Sequence, residues 1–194
     1  MQLSCGPFWD NFYSAPREEW YFPMKSVMTL LTDLFAKIPC PIVLHGGCGN
    51  SFLGDQFLSF KPHQLIEFDI SPLAFSQINI DDFSRHNLFL GNIFSIPVRN
   101  GCVDIVIEKG LFDSLTSVTS SATTNSDRML SEYDRILASR GFVMIFSIFG
   151  PDSHKDTLGL LNHPNFTVEC KNIFASPAEI PSQDFCFLYI LRKC

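Results

Sequence analysis

The sequence has few basic residues, no long apolar run and no closely spaced cysteine pair. Its 20 Asp and Glu residues outnumber its 14 Lys and Arg residues, which gives a formal net charge of −6. Because the basic residues form neither a block nor a tail, a large nucleic-acid-binding surface is not expected. No apolar run reaches the roughly 18 residues of a membrane span, and the N-terminus lacks the basic and apolar regions of a secretory signal. The sequence therefore predicts neither a nucleic-acid nor a membrane partner.

The seven cysteines are odd in number and form no Cys-x-x-Cys motif. Cys102 and Cys186 lie inside apolar runs, where cysteine behaves as a small hydrophobic residue. This usage is typical of a reducing compartment, so we expect a cytoplasmic protein. The nearest approach to a metal motif is His45-x-x-Cys48, which lacks a second ligand pair, and no metal site is expected.

Ample material for a buried core is present, since 46% of the residues are hydrophobic and 20 are phenylalanine. A chain of 194 residues fits one domain, 1–194, in which 1–38 form an N-terminal cap and helix and 39–194 form the core. Apolar runs predict seven strands, at 41–45, 63–69, 87–90, 102–107, 142–148, 166–170 and 185–191. Helical patterns alternate with the first five, which favours a doubly wound parallel α/β sheet, and the last two strands are expected to form an antiparallel pair.

Other patterns define the expected helices and loops. Apolar residues recur at helical spacing over 25–37, and the helix before the fifth strand is expected to end at Gly141. The aromatic segment 8–22 is broken by Pro16 and predicts short helical pieces in the cap. The polar run 117–126 predicts a loop that faces either solvent or a substrate.

A glycine-rich turn follows the first predicted strand. Residues 45–51 read His-Gly-Gly-Cys-Gly-Asn-Ser, and glycines let the backbone turn tightly and approach a ligand without a Cβ in the way. The helix that follows would add backbone donors at its N-terminus. Because the third glycine of the dinucleotide motif and the P-loop Gly-Lys-Ser are both missing, the turn favours a ligand without a diphosphate. A strand-to-helix turn that binds nothing is the alternative.

Polar residues at the ends of the next two predicted strands suggest further ligand contacts. Asp69 stands about 20 positions after Gly49, the spacing of a carboxylate that accepts the ribose hydroxyls of an adenosine. Glu67 lies two residues earlier on the same strand and is a competing candidate. Asn92 has two possible roles: its amide bonds to the adenine edge while Ile93 packs on the ring, or it forms a simple Gly-Asn turn.

Two carboxylates follow the fourth predicted strand, which reads Cys-Val-Asp-Ile-Val-Ile. Glu108 and Asp113 are expected at the mouth of the cleft, because ligands bind beyond the carboxyl ends of parallel strands. A charged loop at the end of a strand is the alternative for this segment.

Four segments, in chain order, resemble the class I (seven-stranded) methyltransferases that use S-adenosylmethionine. They are 42–51, 68–72, 103–110, and 129–137 with Gly141 and Phe142. More narrowly, Gly-Cys-Gly-Asn-Ser, Glu-Lys-Gly-x-x-Asp, Trp-Asp-x-x-Tyr at 9–13 and Glu-Trp-Tyr at 19–21 resemble one methyltransferase-like branch. That branch includes the elongation factor 1A lysine methyltransferases and the citrate synthase lysine methyltransferase.

The resemblance implies a Rossmann-like sheet in the order 3-2-1-4-5-7-6, with strand 7 antiparallel and helices on both faces. It also implies the following contacts to the cofactor: Trp9, Tyr13, Trp20, Gly47, Cys48, Gly49, Asp69, Ile70, Asn92, Ile93, Glu108 and Lys109. The N-terminal aromatic residues would close over the cofactor, Gly47 would lie under its methionine part, and Lys109 would lie beside its sulfonium end. The sequence departs from the family where Asn92 replaces a usual Asp and Gly46 replaces a usual apolar residue.

The sequence thus predicts an S-adenosylmethionine-dependent methyltransferase that releases S-adenosylhomocysteine, acts on a protein lysine and is monomeric. A sulfonium methyl is already activated, so the protein must align the nucleophile and exclude water. Because lysine reacts in its neutral form, Glu108 and Asp113 are candidate catalytic carboxylates that would take up its proton. A small-molecule methyltransferase and a non-catalytic cofactor-binding module remain alternatives, and the missing third glycine disfavours a nicotinamide dehydrogenase.

Overall fold

The computed structural model describes residues 6–15, 20–21, 28–51, 53–77, 86–117, 122–152, 160–173 and 186–194. Parts of several sequence predictions lie outside these residues, among them 25–27 of the first long helix, 118–121 of the polar loop and position 19 of the N-terminal motif. Within the described residues, no helix is both long and apolar enough to cross a membrane.

Seven strands form one mixed sheet. They are β1 (Ile42–Gly46), β2 (Gln64–Asp69), β3 (His86–Leu90), β4 (Val103–Lys109), β5 (Leu137–Ser147), β6 (Phe166–Ile173) and β7 (Cys186–Lys193). The strand order is β3-β2-β1-β4-β5-β7-β6, and β1 to β5 pair in parallel. β7 runs antiparallel to both β5 and β6. The order and the reversed last strand confirm the predicted fold class.

The alternation of side chains along the strands divides the core between the two faces of the sheet. On one face, Val106 packs in a cluster with the apolar side of α5 (Ala122–Ile136). On the other face, Ile105 packs in a cluster with α2 (Met28–Phe35) and α3 (Leu53–Leu58). Because successive residues of a strand point to opposite faces, helices on both sides bury every residue of the central strand β4 except Asp104.

Three short helical elements surround the edge of the sheet where the parallel strands end. A 3₁₀ turn (Pro72–Gln77) follows β2, and α1 (Gly6–Tyr13) packs against this turn. α4 (Leu111–Thr116) follows β4 after the single residue Gly110, whose φ of +83° lies in the left-handed region. In open α/β sheets this edge is the usual place for a ligand.

The polar run predicted as a loop is partly helical. α5 begins at Ala122, inside that run, and Ala122 and Ser126 are buried. Asn125 Nδ2 donates a hydrogen bond to the Leu115 carbonyl oxygen at 3.0 Å, which ties the start of α5 to the end of α4. Packing of this first turn therefore overrides the low helix propensity of its Thr, Asn and Ser residues.

The predicted stop at Gly141 is also wrong. α5 ends at Ile136, and Leu137 already pairs with Val103 of β4. Gly141 lies inside β5, where a Cβ would approach the Asp104 carbonyl oxygen to 3.0 Å. Gly141 therefore does not end a helix. It lets the backbone of β5 lie close to the backbone of β4 at Asp104, where the pairing of the two strands is irregular.

Candidate functional site

A cavity of about 770 Å³ opens at the carboxyl ends of β1, β2 and β4. Eleven of the residues predicted to contact a cofactor line it: Trp9, Tyr13, Trp20, Gly47, Cys48, Gly49, Asp69, Ile70, Asn92, Ile93 and Lys109. We call this space the main cavity.

The turn after β1 presents bare backbone to the main cavity. Gly47 and Gly49 have φ angles of +58° and +56°, in the left-handed region that glycine adopts most readily. A Cβ on Gly47 would lie 3.0 Å from the Leu111 side chain, and one on Gly49 would lie 2.6 Å from the Tyr13 hydroxyl. Between them, Cys48 is buried, and burial raises the pKa of its thiol. Both glycines are therefore required by backbone conformation and by space.

The Asp69 carboxylate ties this turn to the end of β2. Its Oδ2 accepts the Gly49 N–H at 2.9 Å, and its Oδ1 accepts the Ser71 N–H at 2.9 Å. Burial raises the pKa of Asp69, and these backbone hydrogen bonds partly offset that effect. The side chain is only 6% exposed yet lines the main cavity, so it presents a carboxylate to whatever occupies the cavity.

The competing carboxylate, Glu67, points elsewhere. Its two oxygens lie 2.6 Å from His45 Nδ1 and 2.5 Å from His86 Nε2, and all three side chains are 1% exposed. Burial opposes ionisation of Glu67, but the hydrogen bonds from the two histidines prevail and lower its pKa to about 2. Glu67 does not line the main cavity, whereas Asp69 does.

The N-terminal helix is docked beside the end of β2. The Ser71 hydroxyl donates to Asp10 Oδ1 at 2.6 Å, which holds α1 next to the Asp69 turn. The rings of Trp9 and Tyr13 are stacked, with centroids 5.9 Å apart, and both line the main cavity. Lys109 Nζ donates to the Trp20 carbonyl oxygen at 2.9 Å and so anchors the second part of the cap to the end of β4.

After the end of β3, the four consecutive residues 91–94 line the main cavity. Asn92 is exposed, and its Oδ1 accepts the Phe94 N–H at 2.9 Å. Ile93 is buried, and the Phe94 ring lies under the Arg128 guanidinium, 4.2 Å from the ring centroid. Sequence reasoning identified Asn92 and Ile93 and missed Phe94, which its position next to them could have indicated.

A second cavity of about 570 Å³ adjoins the first, and we call it the side cavity. Six aromatic side chains, three polar side chains and an isoleucine line it: Phe8, Trp9, Phe12, Trp20, Tyr21, Phe149, Asp113, Ser114, Ser117 and Ile148. Trp9, Trp20 and Ser114 also line the main cavity. The two spaces therefore share a wall that contains both indoles.

Asp113 is the acidic group of the side cavity. Its Oδ2 accepts the Tyr21 hydroxyl at 2.6 Å and the Ile148 N–H at 3.0 Å, and its Oδ1 accepts the Ser147 hydroxyl at 2.5 Å. Burial, followed by the charge of Asp113, raises the pKa of Tyr21, so this hydroxyl remains a proton donor. These bonds hold the carboxylate at a fixed position, 3% exposed, against an aromatic wall.

Glu108 lies at neither cavity, so its predicted place at the mouth of the cleft is wrong. Its Oε2 accepts the N–H groups of Leu111 and Phe112, at 2.8 and 3.1 Å, and thereby caps the start of α4. Burial, followed by the charge of Asp113, raises its pKa well above the usual value. Neighbouring strand residues face opposite sides of a sheet, so Glu108 faces away from the side on which Lys109 reaches the main cavity.

Other residues of the main cavity were not predicted as contacts. They are His45, Asn50, Ser51, Phe68, Phe94, Gly91, Gly110, Leu111, Ser114 and Leu115. Most stand within two positions of a predicted residue, which is the only signal that the sequence offers for them. His45 was placed in the sequence at the start of the glycine-rich turn and in an incomplete metal motif, and it was not predicted as a cofactor contact. Among the described residues, no group of His, Cys, Asp and Glu side chains could hold a metal ion.

Sequence comparison relates the chain to methyltransferases of translation factors. It is 29% identical over 146 residues to the eEF1A lysine and N-terminal methyltransferase of Danio rerio, which covers 72% of this chain and 21% of that protein. It is 27% identical over 158 residues to EEF1A lysine methyltransferase 4 of Mus musculus, which covers 74% of this chain and 61% of that protein. The chain thus spans about a fifth of the length of the first relative and three fifths of the second. No family model matches the sequence.

Solved structures share the whole fold. The N-methyltransferase NodS from Bradyrhizobium japonicum, in complex with S-adenosyl-L-homocysteine, superposes with a TM-score of 0.69 at 14% identity and covers 100% of this chain and 99% of its own. A TehB-like SAM-dependent methyltransferase from Corynebacterium glutamicum gives a TM-score of 0.60 at 16% identity, with 97% and 95% covered. At such identities the likeness establishes the fold, and it agrees with the strand order expected from the sequence.

Proposed function

We propose that this chain, which has the class I methyltransferase fold and relatives in the elongation factor 1A branch, is an S-adenosylmethionine-dependent methyltransferase that acts on a protein lysine. One observation carries the proposal. The Asp69 carboxylate is held at the main cavity by the Gly49 backbone, at the spacing and place expected for a ribose contact. The relatives support the same reaction class and a protein acceptor.

The main cavity fits an adenosine that carries no phosphates. A carboxylate can accept about four hydrogen bonds, so Asp69 can bind ribose hydroxyls in addition to the backbone N–H groups of Gly49 and Ser71. The Asn92 amide offers both a donor and an acceptor to the edge of the base, and Ile93 and Phe94 offer apolar surface to its ring. When bound, S-adenosylmethionine would supply an activated methyl group on its sulfonium.

In this proposal, the residues of the cap exclude water from the main cavity. Trp9, Tyr13 and Trp20 close one side of the main cavity, and the bonds from Ser71 to Asp10 and from Lys109 to the Trp20 carbonyl keep them in place. Aligning a nucleophile behind an activated methyl group and keeping water out are sufficient for this type of reaction.

We propose that the side cavity receives the acceptor amine. A lysine with a pKa of about 10.4 is less than about 0.1% neutral at pH 7, which costs roughly 4–5 kcal/mol. The aromatic wall disfavours the charged form by desolvation, and it can hold an alkylammonium by cation–π contact before deprotonation. Asp113 is the carboxylate that faces this space, and in this proposal it takes up the proton. Glu108 keeps α4 in position instead, since it lines neither cavity.

Two measurements test the proposal in sequence. Calorimetric titration with S-adenosylmethionine and S-adenosylhomocysteine comes first, and failure to bind either would remove the basis of the reaction. Incubation with methyl-labelled cofactor and lysate proteins, followed by mass spectrometry, then identifies the acceptor. We expect label on lysine. Label transferred only to metabolites would indicate a small-molecule enzyme, and binding without transfer to either class would indicate a non-catalytic module.

A further inference from the structure

An arginine near the end of α5 holds the segment that joins β3 to β4. We call this segment, residues 91–102, the connecting loop. Through Nη1, Arg135 donates hydrogen bonds to the Val98 carbonyl oxygen and to Asn100 Oδ1, both at 2.8 Å. Through Nη2 it donates to the Ile96 carbonyl oxygen, also at 2.8 Å. Three of the five N–H donors of one guanidinium are therefore directed at the loop.

The other two donors bond to a carboxylate on the same helix. Glu132 accepts hydrogen bonds from Nε and Nη2 of Arg135 at 3.0 and 2.8 Å, and these bonds lower the pKa of Glu132. Glu132 Oε2 also accepts the Ile96 N–H at 3.0 Å. Ile96 is therefore held through both its N–H and its carbonyl oxygen, and its side chain is buried. We call Arg135 and Glu132 the clamp.

The clamp grips the connecting loop directly after the turn that presents Asn92 to the main cavity. In this turn the Ser95 N–H donates to the Asn92 carbonyl oxygen at 3.0 Å, and the Phe94 N–H donates to Asn92 Oδ1 at 2.9 Å. Ile96 is the next residue. Because only two of residues 91–100 are buried, apolar packing holds the loop at just two points. The clamp therefore supplies a polar restraint that keeps the turn in place.

The position of the turn matters because the two ends of an asparagine amide differ chemically. The Phe94 N–H holds Oδ1 of Asn92, so the donor and acceptor ends of the amide cannot exchange while the turn is intact. Adenine presents a donor at its exocyclic amino group and an acceptor at the ring nitrogen beside it, and hypoxanthine presents the reverse. An amide held in one orientation therefore pairs with only one of these bases, whereas an amide that can reverse pairs with both.

We propose that Arg135, together with Glu132, is a positioning residue that makes the main cavity specific for adenine. Arg135 does not line the main cavity, so it acts through the Asn92 turn. This inference rests on the proposed function, because it assumes that Asn92 meets the base of the cofactor. It gives α5, none of whose residues lines the main cavity, a part in cofactor recognition.

The test compares two ligands that differ only in the base. S-Adenosylhomocysteine carries adenine, and S-inosylhomocysteine carries hypoxanthine on the same ribose and amino-acid end. In calorimetry we expect the wild-type full chain to bind the adenine ligand at least about tenfold more tightly, the effect of one mispaired hydrogen bond. Arg135→Lys keeps the charge but cannot form the forked bonds to the loop and to Glu132. We expect this variant to reduce the preference to about threefold or less.

Lys193→Gln is the matched control. Lys193 Nζ donates to the Asp134 and Leu137 carbonyl oxygens, so it fixes the same end of α5 from β7 rather than from the connecting loop. We expect Lys193→Gln to lower the free energy of unfolding and to leave the preference for adenine at its wild-type value.

A second background separates the positioning of Asn92 from a general loosening of the cavity. Asn92→Asp makes both ends of this side chain acceptors, so a reversal of the group changes nothing. In the Asn92→Asp protein, Arg135→Lys should therefore change the ratio of the two affinities less than about twofold. An equal fall of the ratio in both backgrounds would show that the clamp acts on the cavity as a whole, and it would overturn the inference.

Two other results would overturn the inference while leaving the proposed function intact. One is an unchanged ratio in a folded Arg135→Lys protein, and the other is a wild-type protein that binds both ligands equally. If Arg135→Lys does not fold, Glu132→Gln decides by the same ratio, because it removes one acceptor of the clamp and keeps the arginine. A wild-type protein that binds neither ligand would instead refute the proposed function, and the inference with it.

Discussion

The substitution Gly49→Ala separates two reasons for the glycine at this position. Gly49 has a φ of +56°, and a Cβ there would lie 2.6 Å from the Tyr13 hydroxyl oxygen. The next nearest atom, Tyr13 Cζ, would be 3.4 Å away, which is an ordinary contact. The cost of the substitution should therefore contain a backbone part and a separate steric part that depends on one oxygen atom.

The structure lets both parts be estimated. A non-glycine residue in the left-handed region costs about 1–2 kcal/mol. Inserting a methyl group into filled space costs typically about 1–3 kcal/mol. We expect Gly49→Ala to lower the free energy of unfolding by about 2–5 kcal/mol. Gly101→Ala is the matched control: its φ is +66° and a Cβ there would meet no atom within 4 Å, so it should cost only the backbone part of about 1–2 kcal/mol.

A double-mutant cycle measures the steric part directly. Tyr13→Phe removes the one oxygen that the new Cβ would meet, so in the Gly49→Ala background it should restore about 1–3 kcal/mol. Urea denaturation followed by circular dichroism gives the four free energies. Gly49→Ala should also weaken binding of S-adenosylhomocysteine, and Tyr13→Phe should partly restore it in the Gly49→Ala protein, since Tyr13 and Gly49 both line the main cavity.

Two results would refute this reasoning. One is a Gly49→Ala protein that is no less stable than Gly101→Ala. The other is a cycle in which Tyr13→Phe restores nothing when alanine is at position 49.

Three further predictions concern carboxylates. Asp69→Asn should raise the Kd for S-adenosylhomocysteine at least about tenfold in calorimetry, because the amide has one acceptor oxygen instead of two; an unchanged Kd would contradict the ribose contact. Asp113→Asn should lower kcat about 100-fold while that Kd changes less than about twofold, and full turnover would exclude Asp113 as the proton acceptor. The pKa of Glu67 in the folded protein, about 2, lies below its ordinary value of 4.5. Ionised Glu67 therefore stabilises the folded state by about 3 kcal/mol above pH 4.5, and this contribution is lost as the pH falls toward 2. Urea titrations from pH 5 to pH 2 should show this loss in the wild type and not in Glu67→Gln, and the same slope in both would contradict it.

The sheet could be predicted from the sequence because its signals are local. Apolar runs and turn residues located all seven strands, and the motifs of the family resemblance supplied their order. The same motifs located the main cavity, because ligand-facing turns at Gly47 and Asp69 directly follow their strands. The division of the chain into cap and core and the contacts of individual residues with a cofactor stay predictions.

The error at Glu108 has a physical reason. β4 is buried on both faces, so the three residues before Glu108, 105–107, are all apolar and show no alternation that would indicate which side faces the cavity. The sequence therefore does not indicate which of Glu108 and Lys109 faces the cavity. Only the packing shows that Glu108 caps α4 and that Lys109 reaches the main cavity.

The side cavity could not be predicted as a unit. It brings together Phe8, Tyr21, Asp113 and Phe149, which are far apart in the chain. The hydrogen bond from the Tyr21 hydroxyl to Asp113 joins residues 92 positions apart. A pattern confined to one strand or helix contains no information about such a contact, so the sequence identified Asp113 without the aromatic residues around it.

The shared wall gives this protein a native optical reporter. The chain has only two tryptophans, Trp9 and Trp20, and their ring centroids lie 5.8 Å apart where the main cavity and the side cavity adjoin. All of the indole emission therefore originates where the two cavities meet, and a ligand in either cavity changes the polarity around the indole rings. Ligand entry can thus be followed by intrinsic fluorescence, without a label and without a substitution.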